Sequence, residues 1–110
     1  MLKTQNRFHG RVNLLRVFRS GTTFRAAGCS VRFVPNRDDK FRAGVVVSKK
    51  VSKSAVVRNR IRRRVYAYLS AAKPTLKSGD YVVSVFEERF ATMPQPELES
   101  TLGSLLKKTR

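Results

Sequence analysis

Apolar residues recur at helical spacing between residues 54 and 72, which predicts an amphipathic helix from near Ser54 to about Ala71. The predicted apolar stripe consists of Val57, Ile61, Val65, Tyr68 and Ala72. The opposite face is basic and polar, and it carries Asn59, Arg62, Arg63 and Tyr66, with Arg60 on its flank. Ser54 suits the N-cap position, because its hydroxyl can accept a hydrogen bond from a backbone amide of the first turn.

The segments on either side of this helix have the patterns of short strands and of two further helices. Alternating or Val-rich stretches predict strands at residues 22–26, 29–34, 41–48 and 81–86. A turn at residues 35–39 predicts that the second and third strands form a hairpin. Helices are predicted at residues 14–20 and 97–106. Residues 1–9 are expected to be a loose basic arm, and residues 10–110 a single α+β domain with helices packed on a sheet.

The net charge of +17 is concentrated in the first two thirds of the chain. Residues 1–37 contain eight basic residues and no acid, and residues 38–79 contain twelve basic residues and two acids. Residues 80–110 contain four basic residues and five acids. This uneven distribution is typical of proteins that bind nucleic acid.

The arginines of the predicted helix have no acidic neighbour in sequence, because no Asp or Glu occurs between Asp39 and Asp80. Arg60 and Arg64 are four residues apart, and a like-charge pair at this spacing costs about 0.2–0.5 kcal/mol. A bound polyanion would remove the repulsion, and the guanidinium fork matches phosphate geometry. The alternative is a solvated basic face, although such faces usually mix both signs of charge.

The residue types of a protein active site are sparse in this chain. The acids are scattered, His9 is the only histidine, and neither a zinc-binding spacing nor a Gly-rich phosphate loop occurs. Cys29 is the only cysteine, and a buried strand position is the usual place for such a residue. No apolar run reaches the ~18 residues of a membrane span, and residues 1–20 lack the uncharged core of a signal peptide. We therefore expect a cytoplasmic binding protein without catalytic or metal-binding residues of its own.

Exposed aromatic side chains are frequent partners of unpaired bases. Tyr66 is a candidate, because the helical pattern places it on the charged face, away from the apolar stripe. Phe18 and Phe24 could either bind a base or pack in the core. Core packing is expected for Phe33, Phe41, Tyr81 and Phe86.

The run from Ser48 to Arg63 resembles the signature of the protein subunit of bacterial ribonuclease P. In this chain the signature reads Ser48-Lys49-Lys50, then Ala55-Val56, then Arg58-Asn59-Arg60 followed by Arg62 and Arg63. Weaker similarity is found at residues 15–21, 44–47, 79–83 and 97–106, so that the resemblance covers about residues 10–108.

The resemblance implies one small α+β domain in the order αβββαβα, with a four-stranded sheet, three helices and a left-handed βαβ crossover, as in the ribosomal protein S5 domain 2-like fold. It further implies that the chain assembles with a catalytic RNA and assists removal of the 5′ leader from precursor tRNA. The RNA performs the hydrolysis in this family, with Mg²⁺ bound mainly by the RNA and the substrate. The protein itself is expected to be a monomer with no membrane partner.

The resemblance also assigns roles to individual residues. Contacts with the catalytic RNA are implied for Lys49, Lys50, Lys53, Arg58, Asn59, Arg60, Arg62 and Arg63. Tyr66 stands where a further Arg is common, and stacking on a base could replace a phosphate contact there. Contacts with the precursor leader are implied for Phe18, Leu14, Arg32, Val46 and Ser48. Leu14 and Arg32 replace frequent aromatics, Val46 replaces a small polar residue, and Ser52 replaces a usual Gly, which predicts a stiffer loop before the helix.

Two other functions are compatible with the same sequence. A structural basic protein of the ribosome or chromatin would neutralise phosphate without a role in catalysis, and it would lose affinity evenly as any arginine is removed. A peripheral membrane protein with a polybasic helix is a third interpretation, but the apolar stripe of that helix is better used as core.

Overall fold

The computed structural model of the protein describes residues 21–35 and 41–109. Its strands and α-helices are β1 (Thr22–Ala26), β2 (Cys29–Val34), β3 (Phe41–Val47), α1 (Ala55–Ala72), β4 (Gly79–Val85) and α2 (Gln95–Lys107). Short 3₁₀ turns lie at Lys73–Thr75 and Glu88–Ala91. The predicted arm at residues 1–9, the helix at residues 14–20 and most of the turn at residues 35–39 lie outside the described residues. The predicted α+β class is confirmed.

The four strands form one sheet in the order β1-β2-β4-β3. β1 and β2 form a hairpin, and its turn contains Gly28 at φ +83°, a left-handed conformation that favours glycine. β4 lies antiparallel to β2 and parallel to β3. The predicted hairpin of residues 29–34 with residues 41–48 is therefore wrong, because the chain returns through α1 and inserts β4 between those strands. Every residue of β4 is buried, as suits a central strand.

The main core lies between one face of the sheet and the two helices. The leucine stripe predicted for the last helix is confirmed by the burial of Leu98, Leu102, Leu105 and Leu106. In α1 the buried row is Ile61, Val65 and Leu69. Leu69 takes the place that the sequence pattern gave to Tyr68, because residues spaced by four align in one row of a helix. The half-buried margin of this row includes Val57, Tyr68 and Ala72.

Three of the four aromatic residues expected in the core are found there. Tyr81 is fully buried, and its ring centroid lies 4.8 Å from that of Phe33 and 5.2 Å from that of Phe41. Phe86 is instead 61% exposed, so the core prediction for it was wrong. β4 ends at Val85, whose side chain points into the core, and the next residue in an extended chain points to the opposite face.

Candidate nucleic-acid interface

The segment that enters α1 is held by a set of local hydrogen bonds. The Ser54 hydroxyl accepts a hydrogen bond from Val57 N at 3.3 Å, which confirms the predicted N-cap. The Ser52 hydroxyl accepts one from Ser54 N at 3.2 Å. Arg58 Nη1 donates to the Ser52 carbonyl at 2.8 Å, so this guanidinium fastens the loop. These bonds tie the loop to the start of α1, and the stiffness predicted from Ser52 stays a prediction.

In this loop and along α1, cationic side chains face outward. Lys49, Lys50 and Lys53 are exposed in the loop, and Arg60 and Arg63 are exposed on α1. Arg62 donates to the Asn59 side-chain oxygen, which fixes its guanidinium against the helix. These side chains form what we call the α1 basic surface, which consists of Lys49, Lys50, Lys53, Asn59, Arg60, Arg62 and Arg63.

Within residues 21–35 and 41–109, the chain does not neutralise this surface. Asp80 is fully buried and pairs with Arg42 Nε at 3.2 Å. Arg89 pairs with Glu87 and, at 3.3 Å, with Glu97. None of the ion pairs among the described residues involves an arginine of α1. The charge of the α1 basic surface is therefore available to an external anion.

Arg64 belongs to the same helix but has a structural role that the sequence did not predict. Its guanidinium donates to the Phe90 carbonyl at 2.9 Å, to the Met93 carbonyl at 2.6 Å and to Gln95 Oε1 at 3.3 Å. These bonds tie α1 to the segment that leads into α2. The two carbonyls are backbone groups, so no residue type in the sequence could have indicated the contact.

Tyr66 lies against the sheet, and its predicted position on the outward charged face is wrong. The side chain is half-buried and packs on the core. Its hydroxyl accepts a hydrogen bond from Val45 N at 3.2 Å. β3 is an edge strand of the sheet that the described residues form, so none of their strands pairs with it on that side, and Tyr66 satisfies this backbone donor. Its contact with RNA stays a prediction.

Two of the predicted leader-binding residues, Arg32 and Val46, lie on the sheet face opposite the main core. Cross-strand pairing places Arg25, Ser30, Ser84 and Val46 side by side across the sheet. Arg32 lies in the next row, where its Nε donates to Thr23 Oγ1 at 2.7 Å. Ser48 is exposed directly after β3. The structure thus brings Arg32 and Val46 onto one face, whereas Leu14 and Phe18 lie outside the described residues.

A groove of about 310 Å³ opens on this face. We call it the sheet groove, and it is lined by Thr23, Arg25, Ser30, Arg32, Ser84 and Phe86. Sequence reasoning missed Phe86, because a Phe next to a Val-rich strand usually joins the core. The available clue was its position one residue after the last inward-facing position of the strand.

Neither a reactive cysteine nor a metal-binding group is found among the described residues. Cys29 is buried as predicted, and desolvation raises the pKa of its thiol to about 11, so the reactive thiolate is disfavoured. Within the described ranges, no three His, Cys, Asp or Glu side chains come together as a metal-binding group. No helix in this part of the chain is long and apolar enough to cross a membrane.

The fold and the exposed cations together define a class, that of small basic α+β proteins with a parallel βαβ crossover and a cationic helix. Comparison with known families then identifies the family, because the Ribonuclease P family model matches residues 2–110 of this chain. The chain therefore belongs to the ribonuclease P protein family.

Individual relatives agree with this assignment. The "Ribonuclease P protein component" of a Pseudanabaena strain is 32% identical over the whole of this chain and 96% of its own length. The protein of the same name from Desulfosudis oleivorans is 32% identical over 97% of this chain and 88% of its own. Among solved structures, the RNase P protein from Thermotoga maritima superimposes with a TM-score of 0.84 at 28% identity, covering 93% of this chain and 96% of that one. The Staphylococcus aureus RNase P protein has the same fold, with a TM-score of 0.84 at 24% identity over 96% of this chain and 95% of its own.

Proposed function

We propose that this chain is the protein subunit of a bacterial ribonuclease P and binds the catalytic RNA through the α1 basic surface. The observation that carries the proposal is the absence, within the described residues, of any acid paired with the arginines of α1. Arg60 and Arg63 project from a helix whose other side is fixed in the core, so phosphate binding requires little reorganisation.

The protein acts in this proposal by positioning RNA, not by breaking a bond. Phosphodiester hydrolysis is performed by the RNA, with Mg²⁺ bound mainly by the RNA and the substrate. Guanidinium and ammonium groups release counterions as they bind phosphate. Such neutralisation lowers the repulsion between RNA segments and so reduces the Mg²⁺ concentration needed for activity.

The second proposed contact is between the 5′ leader of precursor tRNA and the sheet face that carries Arg32 and Val46. Arg32 is oriented along the sheet by Thr23, and Ser48 lies close to the start of the basic loop. A leader on this face could therefore continue toward the α1 basic surface. Phe18 and Leu14 stay predicted members of the same site, and the proposed location of the complex is the cytoplasm.

Reconstitution tests the proposal. The purified protein is added to a bacterial ribonuclease P RNA at low Mg²⁺, and cleavage of the leader from a precursor tRNA is measured. We expect cleavage that neither component supports alone under these conditions. RNA binding without any stimulation of cleavage would instead indicate a basic structural protein of the ribosomal or chromatin type.

A further inference from the structure

Phe86 is a large apolar side chain that no packing role explains, since it is 61% exposed. The odd-numbered residues of β4 point into the main core. Phe86 therefore points to the opposite face of the sheet, as Val82 and Ser84 do. Its backbone is fixed, because Phe86 N donates to the Gly28 carbonyl at 2.8 Å. The ring is thus presented from a rigid strand end.

The other walls of the sheet groove have the chemistry of a nucleotide site. Arg25 is exposed, and Arg32 is held along the sheet by its bond to Thr23. The Ser30 and Ser84 side chains lie on paired positions of neighbouring strands and offer hydroxyls at the floor. No acidic side chain of the described residues lines the groove. An aromatic ring suits the face of a base, and guanidinium groups suit its flanking phosphates.

The groove favours a single strand over a duplex. A paired base has both faces covered by its neighbours in the stack, so only an unpaired segment can offer a base face to an aromatic ring. Val47 pairs with Val85, so the residues that follow them, Ser48 and Phe86, lie at the same end of the sheet. That end adjoins Lys49, the first residue of the α1 basic surface.

We propose that Phe86 stacks on one unpaired nucleotide of the precursor's 5′ leader while Arg25 and Arg32 bind the adjacent phosphates. The inference rests on the proposed function and assigns to Phe86 a role in substrate binding. It places the stacked nucleotide at the β4 end of the sheet groove, beside Ser48.

The test uses holoenzyme reconstituted with ribonuclease P RNA, and it compares the dissociation constants of precursor tRNA and mature tRNA. Phe86→Ala should weaken precursor binding about 5- to 150-fold, the range given by base–aromatic stacking, and leave mature tRNA binding unchanged. Phe86→Leu keeps apolar bulk without a stacking surface and should behave like Phe86→Ala. Phe86→Trp should retain precursor affinity. Glu88→Ala is the control, because Glu88 is exposed nearby but outside the groove.

A leader that carries 2-aminopurine at successive positions gives a second readout. Stacking on Phe86 should quench fluorescence at one position, and Phe86→Ala should restore it. The inference is overturned if Phe86→Ala binds precursor normally, if Phe86→Leu retains full affinity, or if both tRNAs lose affinity equally. If the wild type supports normal cleavage, any of these results rejects only the role of Phe86. If the wild type does not support cleavage, the proposed function is rejected as well.

Discussion

At the residue scale, four of the five arginines of α1 divide into two groups that the sequence could not separate. Arg58 and Arg64 donate to backbone carbonyls and hold neighbouring segments in place. Arg60 and Arg63 are exposed, and no acid of the described chain pairs with them. Their periodicity and charge are alike, and only the position of distant carbonyls distinguishes them. Removing a member of the first group should affect stability, and removing one of the second should affect binding.

Replacing Arg60 and Arg63 together by Ala should weaken binding of ribonuclease P RNA about 10- to 100-fold at moderate salt, because two charge-assisted phosphate contacts are lost. The slope of log affinity against log salt should fall by about 2. The matched control is Lys107→Ala with Lys108→Ala, which removes the same charge from the exposed end of α2. Equal losses in the two double variants would show that only the net charge matters.

Arg64→Ala should lower the free energy of unfolding by roughly 1–3 kcal/mol, because the carbonyls of Phe90 and Met93 lose a charged donor. Urea denaturation followed by circular dichroism measures this change. Arg64→Lys keeps the charge without the fork and should recover only part of the stability. An unchanged denaturation midpoint with weakened RNA binding would place Arg64 in the binding surface instead.

At the scale of elements, α1 combines three tasks. Its buried row packs on the sheet, its first turn organises the basic loop, and Tyr66 covers the edge of β3. The basic face is therefore rigidly oriented relative to the sheet groove. Helix propensity alone could not fix that geometry, because the stability of protein helices comes largely from tertiary packing.

Tyr66→Phe should lower the free energy of unfolding by about 0.5–1.5 kcal/mol, because Val45 N loses its acceptor while the ring still packs. The Val45 amide should also exchange its hydrogen faster, which NMR can measure. RNA affinity of the folded variant should stay within about twofold of the wild type. A loss of RNA affinity without any loss of stability would favour a direct RNA contact by the hydroxyl.

At the scale of the whole molecule, the charge is strongly uneven. The basic residues dominate up to residue 79, and two acids of the last third, Glu87 and Glu97, form local ion pairs with Arg89. The repulsion within the α1 basic surface persists in the free protein and is removed only by bound or screening anions. The free protein should therefore be less stable than the protein bound to a polyanion.

Sodium phosphate should raise the melting temperature more than sodium chloride at the same ionic strength, because an anion that binds the native state stabilises it. Differential scanning fluorimetry measures the difference. The variant Arg60→Ala with Arg63→Ala should lose most of the phosphate-specific increase. An equal increase in wild type and variant would indicate a general effect of phosphate on hydration and no site at these residues.

The sequence by itself determined the α+β class, the helix that begins after Ser54 and the leucine stripe of α2, because helical and strand periodicities are local properties. It also determined the burial of Phe33, Phe41 and Tyr81 and the exposure of Arg60 and Arg63 on the basic face. Only the tertiary structure decided that β4 lies between β2 and β3, that Arg64 and Tyr66 serve the fold, and that Phe86 lies exposed in the sheet groove. These features depend on pairing between segments far apart in the chain, and local patterns carry no information about which segments become neighbours.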